Sequence, residues 1–224
     1  LLVVCALVGL TARLWNVDFD QRQHLQPDER FWSITSSHLA DAPAPDAHAT
    51  MAGPVLDWLD GDRSPANVYR VTDSFSYGPI TLAVSRGAAG WLHDGVTSGD
   101  RPASFVASAI NAIGVPLIDE QGNPRFDDSY QVDLVGRLLG ALLDAATIVI
   151  VGLIGERLGG RRAGLVGAAL YATCVMAIQH SHFLGAEPLV AFASALTVLA
   201  TLRLDRSARV GAAVGGGVLV GAAA

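Results

Sequence analysis

Residues 132–154 are the one stretch of this chain that reaches, without help from its flanks, the roughly 20 apolar residues needed to cross a bilayer. Arg137 and Asp144 interrupt it. An apolar helix carrying ionisable groups has to meet other helices, because a charge facing hydrocarbon costs several kcal/mol. Other apolar stretches lie at 1–14 (truncated), 78–92 (short), 163–178 and 188–202, with a further one starting at Val210; 103–118 is weaker, a short or re-entrant helix. With 51% hydrophobic residues, the chain is too apolar for an ordinary soluble domain. The expected fold is an all-α integral membrane protein, a multi-spanning helical bundle with a large first external loop carrying short surface helices. The segments expected are a first transmembrane helix (1–17), an acidic loop (18–77), a short second membrane segment with a polar loop (78–131), and further transmembrane helices (132–224). Because Leu1 and Ala224 both fall in apolar runs, the chain is expected to be a fragment cut inside its first and last helices. A signal peptide at 1–14 is disfavoured, since it lacks a basic leader and a clear small-x-small cleavage site.

Charge gives the expected sidedness. From Asp18 to Asp133 there are 17 acidic residues and seven Arg, a balance of −10; the remainder balances to +4. Arg-rich short loops face the cytoplasm, so Arg157/Arg161/Arg162 and Arg203/Arg206/Arg209 belong inside. The 180–188 turn between those clusters then belongs outside. Arg13 is ambiguous, since a long cation near a helix end can snorkel. Asp28-Glu29 share the outer face with Glu187 only if 78–118 crosses the membrane twice or not at all. The acidic region excludes nucleic-acid binding, because it would repel a phosphate backbone. Cys5 and Cys174, both in apolar segments, build no disulfide framework or zinc knuckle.

Several motifs carry chemistry. Gln26-Pro27-Asp28-Glu29-Arg30-Phe31-Trp32 places adjacent carboxylates just beyond the first apolar run. They suit a helix first turn, where acids meet the positive helix end, and equally a base working on a lipid-linked substrate at the headgroups. In Gln179-His180-Ser181-His182-Phe183, the two histidines lie about 200° apart on a helix and cannot chelate one ion together. Glu187, before Pro188, starts a helix or supplies a second acid. Arg137 and Asp144, seven apart, share a helix face. Arg137 is placed to reach a phosphate or to snorkel, while Asp144 is expected to pair with a neighbouring helix. Tyr77-Gly78-Pro79 suits an aromatic-belt turn into a helix. Gly159-Gly160 reads as a turn.

Taken together, four strings resemble the membrane glycosyltransferases of the GT-C fold, including protein O-mannosyltransferases and aminoarabinose transferases. They are Pro27-Asp28-Glu29 with Phe31; Tyr77-Gly78-Pro79-Ile80-Thr81-Leu82; Val135-Gly136-Arg137 through Asp144 leading to Arg157-Leu158-Gly159-Gly160-Arg161-Arg162; and Gln179-His180-Ser181-His182-Phe183 followed by Glu187. Two departures stand out. No Lys or Arg neighbours Tyr77-Gly78-Pro79, and Glu replaces the more usual Asp at 187. The family's second half is absent, so the fragment alone is expected to be inactive.

The resemblance implies an inverting transfer of a sugar from a polyprenyl-phosphate carrier to an acceptor hydroxyl on a protein, lipid or glycan. It implies Asp28 as general base and Glu29 as its orienting or acceptor-binding neighbour. Arg137, Tyr77, His182 and Glu187 would bind substrate, with a divalent metal an open question. The expected location is a bacterial plasma membrane, multi-pass and surrounded by membrane lipids, with the active site extracytoplasmic. The rival reading is a non-catalytic polytopic protein, such as a transporter subunit or an inactive relative, in which Arg137 and Asp144 line a path or lock helices.

Overall fold

A computed structural model describes residues 1–21, 23–41, 68–72 and 79–207. Among them the structure is all helical, with no strand and one isolated bridge pairing Ile118 with Pro124. The helices are α1 (Leu2–Leu14), α2 (Pro27–Asp41), α3 (Pro79–Ser98), α4 (Arg101–Ala112), α5 (Asp133–Ala172), α6 (Val175–Ser181) and α7 (Glu187–Ser207), with a 3-10 turn at Val68–Arg70. The chain divides into two compact units, one of residues 1–17 with 137–224 and one of residues 18–136.

In the first unit α5 is two helices joined by a reversal at Gly160, whose φ of 81° and ψ of 177° no helix contains. A Cβ on Gly155 would sit 2.9 Å from the Gly164 Cα, and one on Gly167 would sit 3.6 Å from Val151 Cγ1. Ile148 packs on Ala168 and Ala172. Residue numbers fall on one arm as they rise on the other, so 133–159 and 161–172 form an antiparallel hairpin. Glycine at 152, 155 and 164 lets the backbones nearly touch, the usual means of packing helices where burial of apolar surface gives no drive. Arg157, Arg161 and Arg162 are exposed around the turn. The expected loop between two apolar stretches is therefore present, one residue wide.

The second arm breaks at Cys174, whose ψ of 110° is extended, and resumes as α6. The expected single stretch 163–178 is thus two helical pieces. Helix α1 lies along the hairpin: Leu2 approaches Gly152, a Cβ on Gly9 would overlap Ile148, and Arg13 reaches Asp144. It therefore runs antiparallel to the first arm.

In the second unit, α3 and α4 pack side by side, closest where a Cβ on Gly95 would collide with Ala103. Expected segment 78–92 extends to Ser98, and expected segment 103–118 stops at Ala112, before Gly114 takes φ 93°. Of the short helices expected at 18–77, α2 and the 3-10 turn are described.

One described helix, Asp133–Ala172, is long and apolar enough to cross a membrane, with mean hydropathy 2.3 in its most apolar window of 18 residues; Leu2–Leu14 is apolar but shorter.

Candidate functional site

Asp28 and Glu29 sit in the first turn of α2, as their position after Pro27 predicts. Proline lacks an N–H and pre-sets φ for the start of a helix. Gln26 then caps the turn: its Oε1 accepts the Glu29 backbone N–H, and its Nε2 lies 3.4 Å from Asp28 Oδ2. Successive helical residues point about 100° apart, and the pair splits accordingly. Asp28 is exposed, whereas Glu29 is fully buried.

The start of α2 is held by the segment before it and by the loop at 125–131. His24 takes a left-handed φ of 50°, rare for a residue with a side chain. Its carbonyl accepts from Arg30 Nε at 3.2 Å, and its ring Nδ1 lies 3.2 Å from Ser33 Oγ. Tyr130 meets the ring edge-on at 4.5 Å between centroids. Further along α2, Trp32 is completely buried and Ser36 Oγ donates to the Asp128 carbonyl at 3.0 Å. Arg125 pairs with Asp18 at 3.2 Å. Asp28 is therefore an exposed carboxylate on an immobilised helix end. Nothing in the sequence around His24 signals this role.

A neighbouring turn in the same unit is built on Asp119, whose Oδ1 accepts the backbone N–H groups of Gln121 (2.9 Å) and Asn123 (2.8 Å). The Asn123 bond is the main reason its carboxyl sits below the usual aspartate range.

In the other unit, Arg137 is fully buried, and its Nη1 donates to the Val17 carbonyl at 2.9 Å. The ring of His182 lies between two carbonyls, with Nδ1 2.7 Å from Ile178 O and Nε2 2.9 Å from Trp15 O. These two candidate residues converge on the segment 15–17 where α1 ends. Glu187 stands in the first turn of α7, half-exposed, with its Oε1 4.0 Å from His180 Nδ1. Pro188 packs on Gly140 of the first arm. Tyr77 lies outside the described residues.

The charges deeper in this unit form a closed network. Arg13 is completely buried, which corrects the snorkelling alternative. Its Nε donates to Asp144 Oδ2 at 2.6 Å, and its Nη1 to Gly9 O (2.9 Å) and Ala172 O (3.2 Å). Tyr171 Oη donates to Asp144 Oδ1 at 2.6 Å. The physical reason is the break at Cys174, since a helix that stops leaves its last carbonyls without partners. A cation at that end answers both the carbonyls and the negative helix terminus. Asp144 pairs with a neighbouring helix as expected, and Tyr171, which carries no signal in the sequence, completes its shell.

Among the described residues, no group of three or more His, Cys, Asp or Glu side chains could hold a metal ion. Comparison of the chain with family models, with curated proteins and with solved structures finds no match.

Proposed function

We propose that the chain is a multi-spanning membrane bundle acting as an inverting glycosyltransferase, with a polyprenyl-phosphate sugar as donor and Asp28 as base. The observation that carries the reading is an exposed carboxylate on a firmly held helix start, close in sequence to the end of an apolar helix. Substrate needs access to that group, and its orientation needs the anchoring described above.

The surface of the first unit supports a lipid setting. Val3, Val4, Leu7 and Val8 of α1 are 56–68% exposed, while Gly9 and Arg13 on the opposite face are buried. Val166, Leu170 and Met176 are exposed along the second arm and α6. An apolar exterior around a polar, glycine-packed interior suits hydrocarbon better than water. With the Arg-bearing turn at Gly160 taken as cytoplasmic, the opposite end, with Trp15, Val17, Arg137 and His182, faces outside. The bond between Arg137 and Val17 means that the chain leaves and rejoins the bundle at one end. This supports an extracytoplasmic origin for the segment carrying Asp28.

In the proposed reaction, Asp28 takes the proton of the acceptor hydroxyl as its oxygen attacks the anomeric carbon. The bond from that carbon to the phosphate oxygen breaks on the opposite face, so configuration inverts. The products are a glycosylated protein, lipid or glycan and the polyprenyl phosphate. Arg137, which bonds the Val17 carbonyl, fixes the end of α1. The buried Arg13–Asp144 pair locks α1 to the hairpin, which is the helix-locking role the non-catalytic rival also expects of Asp144.

The test is transfer from labelled polyprenyl-phosphate sugars by the full-length protein in membranes, native against Asp28→Asn. Transfer lost in the variant supports the reading. Equal transfer removes Asp28 as base, and a folded native protein inert toward every donor favours the non-catalytic rival.

A further inference from the structure

Every residue from Glu156 to Ala163, around the reversal between the two arms of α5, is exposed. Arg157, Arg161 and Arg162 are the cations of this turn and Glu156 its one acid, three against one, a balance of +2. Among the described residues, none of these four side chains enters an ion pair or a hydrogen bond. The buried cations of the same unit differ: Arg13 meets Asp144, and Arg137 the Val17 carbonyl. The helix ends do not offset the charge of the turn, because the negative end of the first arm and the positive end of the second meet here and largely cancel. The fold thus leaves a positive surface that an anion from outside the chain would neutralise.

The depth of the turn says which anion. Arg157 lies 20 residues beyond Arg137, about 30 Å along a helix rising about 1.5 Å per residue, and the hydrocarbon of a bilayer is about 30 Å thick. The surface turned outward over that length is apolar: Val166 and Leu170 are 58% and 68% exposed on the second arm, and Val3 and Leu7 are 68% and 58% exposed on α1. With the Arg137 end at one interface, the turn stands among the headgroups of the opposite leaflet. Leu158, 70% exposed, sits between the cations.

We propose that the turn at Arg157, Arg161 and Arg162 is a docking surface for the headgroups of anionic phospholipids in the cytoplasmic leaflet, with Leu158 reaching into the acyl region beside them. A guanidinium presents a planar fork that bonds two phosphate oxygens at once. Zwitterionic lipids carry an ammonium that compensates their phosphate, whereas an anionic lipid brings the uncompensated charge that this turn lacks. The cytoplasmic leaflet is the one that holds such lipids, and a basic residue close to them gains about fivefold in binding.

The docking surface rests on the membrane part of the proposed function and not on sugar transfer. The test therefore uses the full-length protein without sugar donor or acceptor, in nanodiscs of phosphatidylcholine doped with phosphatidylglycerol. Native mass spectrometry of the protein released from the discs reads the enrichment of phosphatidylglycerol over phosphatidylcholine among the lipids it retains. The variants are Arg157→Gln, Arg161→Gln and Arg162→Gln, singly and together, and Glu156→Gln. Arg101→Gln, exposed on α4 of the other unit, is the control.

The native protein should retain phosphatidylglycerol preferentially. Each single Arg variant should lower the enrichment by up to about fivefold, and the triple variant by more than any one of them. Glu156→Gln, which removes the one acid, should raise it, and Arg101→Gln should leave it unchanged. A triple variant as enriched as the native protein, or a Glu156→Gln protein no more enriched, overturns the proposal. Should the triple variant fail to fold, Glu156→Gln decides. A native protein that enters the discs but shows no preference overturns the docking surface alone; one that stays outside them overturns the membrane reading with it.

Discussion

Replacing Asp144 by Asn keeps the shape of the side chain and removes its charge. The carboxylate accepts at 2.6 Å from Arg13 Nε and at 2.6 Å from Tyr171 Oη, with Arg13 wholly buried and Asp144 about 3% exposed. The variant therefore leaves a buried guanidinium facing a neutral amide. In soluble proteins, breaking one side of a buried pair costs about 3–5 kcal/mol. Hydrogen bonds between membrane helices measure less, about 0.6 kcal/mol on average and up to about 1.7. The carbonyls of Gly9 and Ala172, at 2.9 and 3.2 Å, soften the loss by keeping part of the guanidinium bonded. The expected cost of Asp144→Asn is about 2–4 kcal/mol, between these two scales. Tyr171→Phe, which deletes one donor to the same carboxylate, should cost about 0.6–1.7 kcal/mol. Replacing both charges, Arg13→Met with Asp144→Leu, should recover much of the loss, because no charge is then left unpaired. The assay is reversible unfolding in lipid nanodiscs, with Arg13→Met and Asp144→Leu, singly and together, closing a double-mutant cycle. A loss below about 0.5 kcal/mol for Asp144→Asn, the range of an ordinary surface substitution, would refute the account of α1 held to the hairpin by charge.

Glycine substitutions should divide by neighbourhood. Gly164→Ala would set a Cβ 2.5 Å from the Gly152 carbonyl and 2.8 Å from the Glu156 nitrogen, both backbone. The hairpin must open, at about 1–3 kcal/mol, read as a lowered unfolding midpoint. Gly87→Ala meets nothing within 4 Å on α3 and should gain about 0.5–1 kcal/mol from helix propensity. For the Asp119 turn, a carboxyl held low contributes order at neutral pH that disappears as pH falls below the ordinary aspartate value of about 3.9. Amide exchange at Gln121 and Asn123 should accelerate on acidification beyond the intrinsic trend, and should be fast at every pH in Asp119→Ala.

Much of the helical layout was legible along the chain. The apolar stretch at 132–154, the Arg cluster at 157–162 and the apolar stretch beyond it described two helices joined by a turn. Gly159-Gly160 marked that turn, because few other residues accept a φ of 81°. Pro27 ahead of two acids marked the start of α2. Periodicity did not reveal the break at Cys174, since the residues around it are apolar apart from Thr173 and none is Pro or Gly. It also overstated the segment at 103–118, where apolar content continues past the end of α4 at Ala112.

The candidate site was legible as residue types at helix ends, and much less as geometry. Spacing showed that His180 and His182 cannot share an ion, but not that His182 lies between two carbonyls from elements more than 150 residues apart in sequence. It showed Asp28 and Glu29 as neighbours, but not which one solvent would reach. Arg13 stayed ambiguous in the sequence, because the break that gives it carbonyl partners lies far along the chain. The sequence by itself determined where helices form, which segments are apolar, and where the turn at Gly160 falls, since propensity, periodicity and backbone freedom act over a few residues. Only the tertiary structure decided which charges pair, which acid is buried and what the histidine holds, because those depend on atoms that folding brings within 3 Å of one another.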